Sequence, residues 1–273
     1  MSQTPSRMQV RPNLNHLKTA LTMSVGLAAI ASLSAPAVAQ ETDNDAPRTM
    51  QTVTVTSTKR EQTLQDVPVA VSVVDDSVIA KAQITDLNDL QSLVPSLSVG
   101  QLQSSANTNF VIRGFGNGAN NAGIEPSVGV FIDGVYRSRS ASQISDLPNI
   151  ERVEVLRGPQ STLFGKNASA GVISVVTKKP SFEPMASVEG TVSNYNGYRA
   201  KVYGTGPITD TLAFSLGGSY SKRDGYIEDI GDGPDTNERN RYGIRGELLF
   251  EPNEDMSFRL IGDYDTIDEI CCG

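Results

Sequence analysis

Two arginines stand directly before glycines, Arg113 in Ile112-Arg113-Gly114 and Arg157 in Leu156-Arg157-Gly158. A guanidinium can grip a carboxylate through two parallel N–H donors, or it can bond carbonyls of its own turn. Near the first of them, the loop 114–123 is rich in glycine and asparagine, with Asn117, Asn120 and Asn121, and Glu125 follows it. Bond-making chemistry is harder to find. The one histidine, His16, lies in the N-terminal leader, which removes His-based triads and His metal sites from the rest of the chain. The two cysteines, Cys271 and Cys272, are adjacent and lack metal-binding spacing. Asp75/Asp76 and Asp263/Asp265 read as capping or solvated carboxylates, and no nucleophile stands in a recognisable pattern with a base. Gly158–Lys166 has a phosphate-loop flavour, but six residues separate its glycines, Asn167 follows the lysine, and Pro159 lacks an amide. Gly114-Phe115-Gly116-Asn117-Gly118 is too closely spaced for a dinucleotide fingerprint. These residues predict neither enzyme, metal site nor cofactor.

The elements that position them follow from pattern. Residues 1–39 read as a secretory signal: a basic start to Lys18, an apolar stretch Ala20–Leu33, and the small-residue site Ala37-Val38-Ala39. Residues 40–58 form a tail whose polar beginning predicts disorder. Within it, Gln51-Thr52-Val53-Thr54-Val55-Thr56 alternates strictly, as an ordinary first strand or as a strand donated to a partner's sheet edge. Residues 59–180 alternate short strands with short helices, predicting a small α+β domain. Strands are expected at Val67–Val74, Leu97–Val99, Asn109–Arg113, Val128–Ile132, Val135–Arg137, Ile150–Leu156 and Val172–Thr177, with Asp133-Gly134 as a hairpin turn. Helices are expected after Asp75-Asp76, from Thr85 (with Leu87, Leu90 and Val94 on one face), over Gln143–Leu147, and after Pro159. Gly165 and Gly171 allow tight turns or close backbone approach.

Beyond Pro180 the period changes to two. Leu212, Phe214, Leu216 and Tyr220 alternate with Ala213, Ser215, Gly217 and Ser219. Tyr242, Ile244, Leu248 and Phe250 alternate with Gly243, Arg245, Glu247 and Leu249. Phe258, Leu260 and Tyr264 alternate with Arg259, Ile261 and Asp263. Turns are expected at Asn194–Gly197, Gly206–Thr209 and Pro252–Asp255, and a longer loop at Arg223–Glu238. Tyrosines near the strand ends suit the interfaces of a transmembrane β-barrel, although a soluble antiparallel sheet gives the same alternation. A net charge of −8 with no basic run argues against a nucleic-acid partner. The absence of tryptophan and of long apolar runs after the leader argues against a helical membrane bundle.

In joint order and spacing, Val111–Gly116, Val128–Arg137 and Ile150–Pro180 resemble the TonB-dependent outer-membrane receptors. The resemblance implies an α+β plug over residues 59–180, followed over residues 181–273 by the first antiparallel strands of an incomplete transmembrane β-barrel. It implies that Gln51–Thr56 is the TonB box, with Gln51 where an acidic residue often stands. Arg113 and Arg157 would then be lock arginines facing barrel-wall glutamates, and Asn117, Asn120, Asn121 and Glu125 would face an extracellular ligand. The implied partners are TonB, outer-membrane lipid and a scarce nutrient such as an iron–siderophore complex, in a Gram-negative outer membrane. Such barrels have about 22 strands, of which residues 181–273 supply about five, so the chain reads as an N-terminal fragment that does not transport alone. An isolated periplasmic binding module and a passive porin are the alternatives.

Overall fold

Strand and helix formation follows the apolar pattern closely over the first part of the chain. In the computed structural model, the described residues are 54–56, 60, 62–84, 86–102, 104–116, 125–138, 146, 149–228 and 235–270. The leader, Gln51, Thr52, Val53, Asn117, Asn120, Asn121, the cysteines and all of the expected helix Gln143–Leu147 except Asp146 lie outside them.

The first elements are β1 (Thr54–Val55), β2 (Gln62–Thr63), β3 (Ala70–Asp75), α1 (Asp76–Lys81), β4 (Leu97–Leu102) and β5 (Ser104–Ile112). They are followed by β6 (Val128–Ile132), β7 (Val135–Tyr136), β8 (Ile150–Arg157), α2 (Ser161–Phe164) and β9 (Gly171–Thr177). A five-stranded mixed sheet runs β3-β8-β9-β6-β7, with β6 and β9 parallel; β4 pairs with β5, and β1 with β2. Strands β6 and β9 are short apolar runs because both faces of the sheet are covered. Leu90, Val94, Ile112, Val130, Val155 and Ile173 form the main core on one face, and Phe131, Leu156 and Val172 a smaller one.

The Asp75 carboxylate caps α1, accepting the Val78 amide at 2.9 Å. The helix expected from Thr85 is only a 3-10 turn, Asp89–Ser92. Asp86 gathers the amides of Asn88 and Asp89, and Pro95 disfavours helical geometry at Val94, leaving room for one turn. Leu87, Leu90 and Val94 are nevertheless buried together, as the spacing predicts. Asp133 (φ 48°) and Gly134 (φ 80°) make the hairpin turn between β6 and β7. Gly171 is required by close approach: a Cβ there would lie 2.5 Å from the Leu156 carbonyl oxygen and 2.6 Å from Ile112 Cδ1.

The second sheet is a meander of β10 (Met185–Ser193), β11 (Gly197–Thr209), β12 (Leu212–Arg223), β13 (Arg239–Asn253) and β14 (Met256–Ile267). Each strand pairs antiparallel with the next, and the sheet does not close on itself among the described residues. Gly206–Thr209 belongs to β11 rather than to a turn; Pro207 is accommodated at a register shift, and the chain reverses at Asp210-Thr211.

Burial in this sheet is inverted relative to a soluble protein. Leu216 is 53 % exposed and Leu260 68 %, whereas Ala213, Ser215, Arg245 and Glu247 are buried on the other face. Tyr198, Tyr220, Tyr242 and Tyr264 ring one end of the apolar face, with centroids 5.7 Å apart for Tyr198–Tyr220 and 6.0 Å for Tyr242–Tyr264. Phe214, Phe250 and Phe258 mark the other end, where Phe250 and Phe258 stack. The two ends lie six residues apart on β12 and β14 and eight apart on β13, about 20–27 Å along the strands, a span on the scale of the apolar band of a membrane barrel once strand tilt is allowed for. The same alternation thus acquires the environment of a lipid-facing wall, not that of a soluble sheet.

Candidate functional site: the seam between the two sheets and the tail strand

Where the mixed sheet meets the inner face of the antiparallel sheet, charges replace apolar contacts. Three elements supply one side: Asp133 from the β6–β7 turn, Arg137 just after β7, and Thr177 at the end of β9. Strand β13 supplies Arg245 and Glu247, and β14 supplies Arg259 and Asp263. Two-residue periodicity turns both members of each strand's pair inward.

Asp133 is the hub. Its carboxylate accepts the Thr177 amide at 2.9 Å, pairs with Arg245 Nη2, and lies 3.4 Å from Arg259 Nη1. Arg245 also donates to Glu247 (2.8 Å) and Asp263 (3.3 Å). Arg259 donates to Glu247 at 2.6 Å and to the Thr177 hydroxyl at 2.8 Å. That hydroxyl is in turn 2.9 Å from Asp133 Oδ2. Arg137 closes the cluster with a two-pronged contact to Asp263, at 2.7 and 3.0 Å. Three arginines thus face three carboxylates, and the Asp133, Arg245 and Glu247 side chains are each no more than 3 % exposed. Charges so deeply buried persist only when each is paired and hydrogen-bonded.

A second cluster lies at the start of β13. The fully buried Asp86 carboxylate accepts from Arg239 (2.7 Å) and Arg241 (3.1 Å), and Arg241 also pairs with Glu269. Close by, the Ser219 hydroxyl donates to the Asp146 carbonyl at 2.9 Å. Burial pushes the Asp146 carboxyl above the ordinary carboxylate range, against the opposing pull of Arg239 and Arg241. Neither carboxylate oxygen of Asp146 has a hydrogen-bond partner among the described residues.

The residues singled out from sequence are distributed differently. Arg113 is exposed at φ 54°, and its backbone amide donates to Ser96. Arg157 lies at the end of β8, with Nε 3.4 Å from the Ala70 carbonyl. Neither guanidinium meets a carboxylate among the described residues. Glu125 is exposed and pairs with Lys166, which holds its carboxyl below the usual range. Of the alternating tail segment, Thr54 and Val55 pair with Gln62 and Thr63 of the same chain, Val55 is completely buried, and the Thr56 amide reaches Glu154 at 2.9 Å. The tail's end is therefore an intramolecular strand in this state.

The seam residues do carry a signal in the sequence. Arg245, Glu247, Arg259 and Asp263 all sit on the polar rows of strands whose other rows are apolar. Charges on such rows cannot face lipid, so they must face something inside. Arg245 and Asp263 are moreover direct cross-strand partners.

The family described as TonB-dependent Receptor Plug Domain matches residues 63–172. The chain is similar to the pesticin receptor of Yersinia enterocolitica, at 30% identity over 187 residues, 68% of this chain and 27% of that protein. It is similar to the vitamin B12 transporter BtuB of Vibrio vulnificus, at 32% identity over 209 residues, 74% of this chain and 32% of that protein. Among solved structures it resembles the ferric yersiniabactin uptake receptor FyuA from Yersinia pestis. That match has 28% identity and a TM-score of 0.67, covering 72% of this chain and 31% of that one. The chain spans between a quarter and a third of the length of these relatives.

Proposed function

Because the chain belongs to the TonB-dependent outer-membrane receptor family, we propose that it forms the plug and first wall strands of an outer-membrane transporter driven through TonB. The wall sheet carries this reading: its apolar face is bare and its polar face is wired to the plug by buried ion pairs. An apolar outer face suits lipid, and an ionic seam suits a plug that must stay seated at rest yet separate under force. Apolar packing would hold as firmly, but charges can exchange partners for water as the seam opens.

The substrate is a scarce metal-bearing chelate of the iron–siderophore kind. Support comes from relatives named for ferric yersiniabactin, ferrichrome and vitamin B12. Asn117, Asn120, Asn121 and Glu125 are proposed to contact it from the plug, and Arg113 and Arg157 to take wall carboxylates on strands other than β10–β14. Residues Gln51–Thr56 are proposed to be the segment that TonB captures by strand addition.

Deleting residues 51–56 from the complete receptor tests this. Uptake of iron-radiolabelled siderophores should fall to background while cell-surface binding persists. Uptake that survives the deletion would contradict energised transport and favour a passive pore.

A further inference from the structure

We infer that Glu154 is the anchor that holds the tail strand on the plug and sets how readily a partner can take that strand. The inference rests on the proposed role of Gln51–Thr56, and it assigns the docking site of Thr54–Thr56 within the plug.

One carboxylate oxygen does the holding. Glu154 Oε1 accepts the Thr56 backbone amide at 2.9 Å, the Thr56 hydroxyl at 3.0 Å and Arg152 Nε at 2.8 Å. Arg152 also reaches the Thr56 hydroxyl at 3.4 Å and pairs with Glu151. The Glu154 side chain is fully buried, and its other oxygen, Oε2, has no hydrogen-bond partner among the described residues. Of the three donors on Oε1, two belong to the tail. Beside this contact Val55 is wholly buried, and among the described residues a two-residue ladder joins β1 to β2.

The local ladder is thus too short to hold the tail by itself, since a two-residue pairing is marginal in water. What distinguishes this docking is a buried charge that the tail helps to satisfy. Removing the tail strips Glu154 of both Thr56 donors and leaves the ion supported by Arg152 alone, which opposes undocking. The anchor also sits well inside the plug fold. Glu154 pairs in register with Ser174 of β9, the strand that ends at the seam residue Thr177. A partner that captures the tail must compete with Glu154, and its apparent affinity is reduced by the fraction of chains whose tail is docked.

The test uses a thiol reporter at Val55→Cys in a background where Cys271 and Cys272 are serine, with the chain held in detergent and probed by a bulky maleimide. Glu154→Ala should raise the Val55→Cys labelling rate at least tenfold. Glu154→Gln keeps the side chain's shape and one oxygen acceptor but loses the charge, and should raise the rate by a smaller factor. A thiol at Ile173→Cys, in the main plug core, should stay protected in both variants. The purified C-terminal domain of TonB should bind Glu154→Ala more tightly than the parent by the same factor.

Unchanged Val55→Cys labelling in both variants would overturn the anchor. If Glu154→Ala also exposes Ile173→Cys, that variant has lost its fold and the Gln variant decides: a rise at Val55→Cys alone supports the anchor, and no rise overturns it. If labelling rises as expected but the TonB domain binds no variant, the anchor stands and the assignment of Gln51–Thr56 to TonB fails.

Discussion

The plug sheet and the wall sheet are built from strands of similar kind but bury opposite chemistry. In the plug, β6 and β9 put valines and isoleucines inside, and the sheet is covered on both faces. In the wall, Leu216, Ile244, Leu248 and Leu260 point out, while serines, arginines and glutamates are buried against the plug. One domain is held together by water leaving apolar surface. The other needs lipid on one face and a polar filling on the other. The contrast teaches where a breakable joint can sit. Apart from Ile267 at the end of β14, which packs on the plug's apolar core, the attachment falls to Asp133, Thr177, Arg137 and Asp86, with their partners on and beyond β13 and β14.

The sharpest way to break the comparison is at the joint. Arg245→Ala leaves Asp133 and Glu247 buried with part of their compensation gone, and should destabilise the seated plug by about 3–5 kcal/mol, read from urea unfolding in detergent. In the plug core, Ile173→Ala should cost about 2–5 kcal/mol through the lost contacts and the cavity left behind. On the wall's outer face, Leu216→Arg should cost about 2–4 kcal/mol in lipid bilayers if it lies near the midplane. The same change should be far milder in aqueous detergent mixtures that let the guanidinium reach water.

Acid–base behaviour sharpens the seam further. The raised pKa of Asp146 means that the folded chain favours its protonated form. That contribution is fully present in acid and is lost as pH rises from the ordinary carboxylate value through the raised one. Asp146→Asn should therefore be more stable than the parent at neutral pH, with the difference vanishing in acid, as followed by thermal melts across pH. The smallest effect is expected at Lys166→Ala. It breaks an exposed pair with Glu125 and should leave the melting midpoint within error.

Much of this was legible because it is local. The Asp133-Gly134 turn, the Asp75 cap and the two-residue alternation after Pro180 each depend on neighbours a few positions apart. Gly171 was legible only as a choice between turn and close approach; the Leu156 carbonyl and the Ile112 side chain decide for approach. What could not be read was the second use of Asp133. Its carboxylate meets Arg245 and Arg259, 112 and 126 positions away, because the parallel pairing of β6 with β9 brings the turn and Thr177 together against the wall. A guanidinium beside a glycine, as at Arg113 and Arg157, does not reveal its partner from sequence, because position in the fold selects partners; the seam arginines find theirs on the inward rows of β13 and β14. The helix expected from Thr85 shrinks to a 3-10 turn because burial of Leu87, Leu90 and Val94 needs only a turn, and Asp86 and Pro95 leave space for little more.

The central claim is that an ionic seam, with Asp133 at its hub, fastens the plug to the wall. A double-mutant cycle between Asp133→Asn and Arg245→Gln tests it most directly. Asparagine tolerates the left-handed backbone at this turn, so the hairpin is spared while the charge and one of the two acceptor oxygens are removed. A coupling of about 1–3 kcal/mol for plug dissociation is the predicted result. Effects that add to within about 0.3 kcal/mol would contradict the account, because the two side chains would then be neighbours without being a joint.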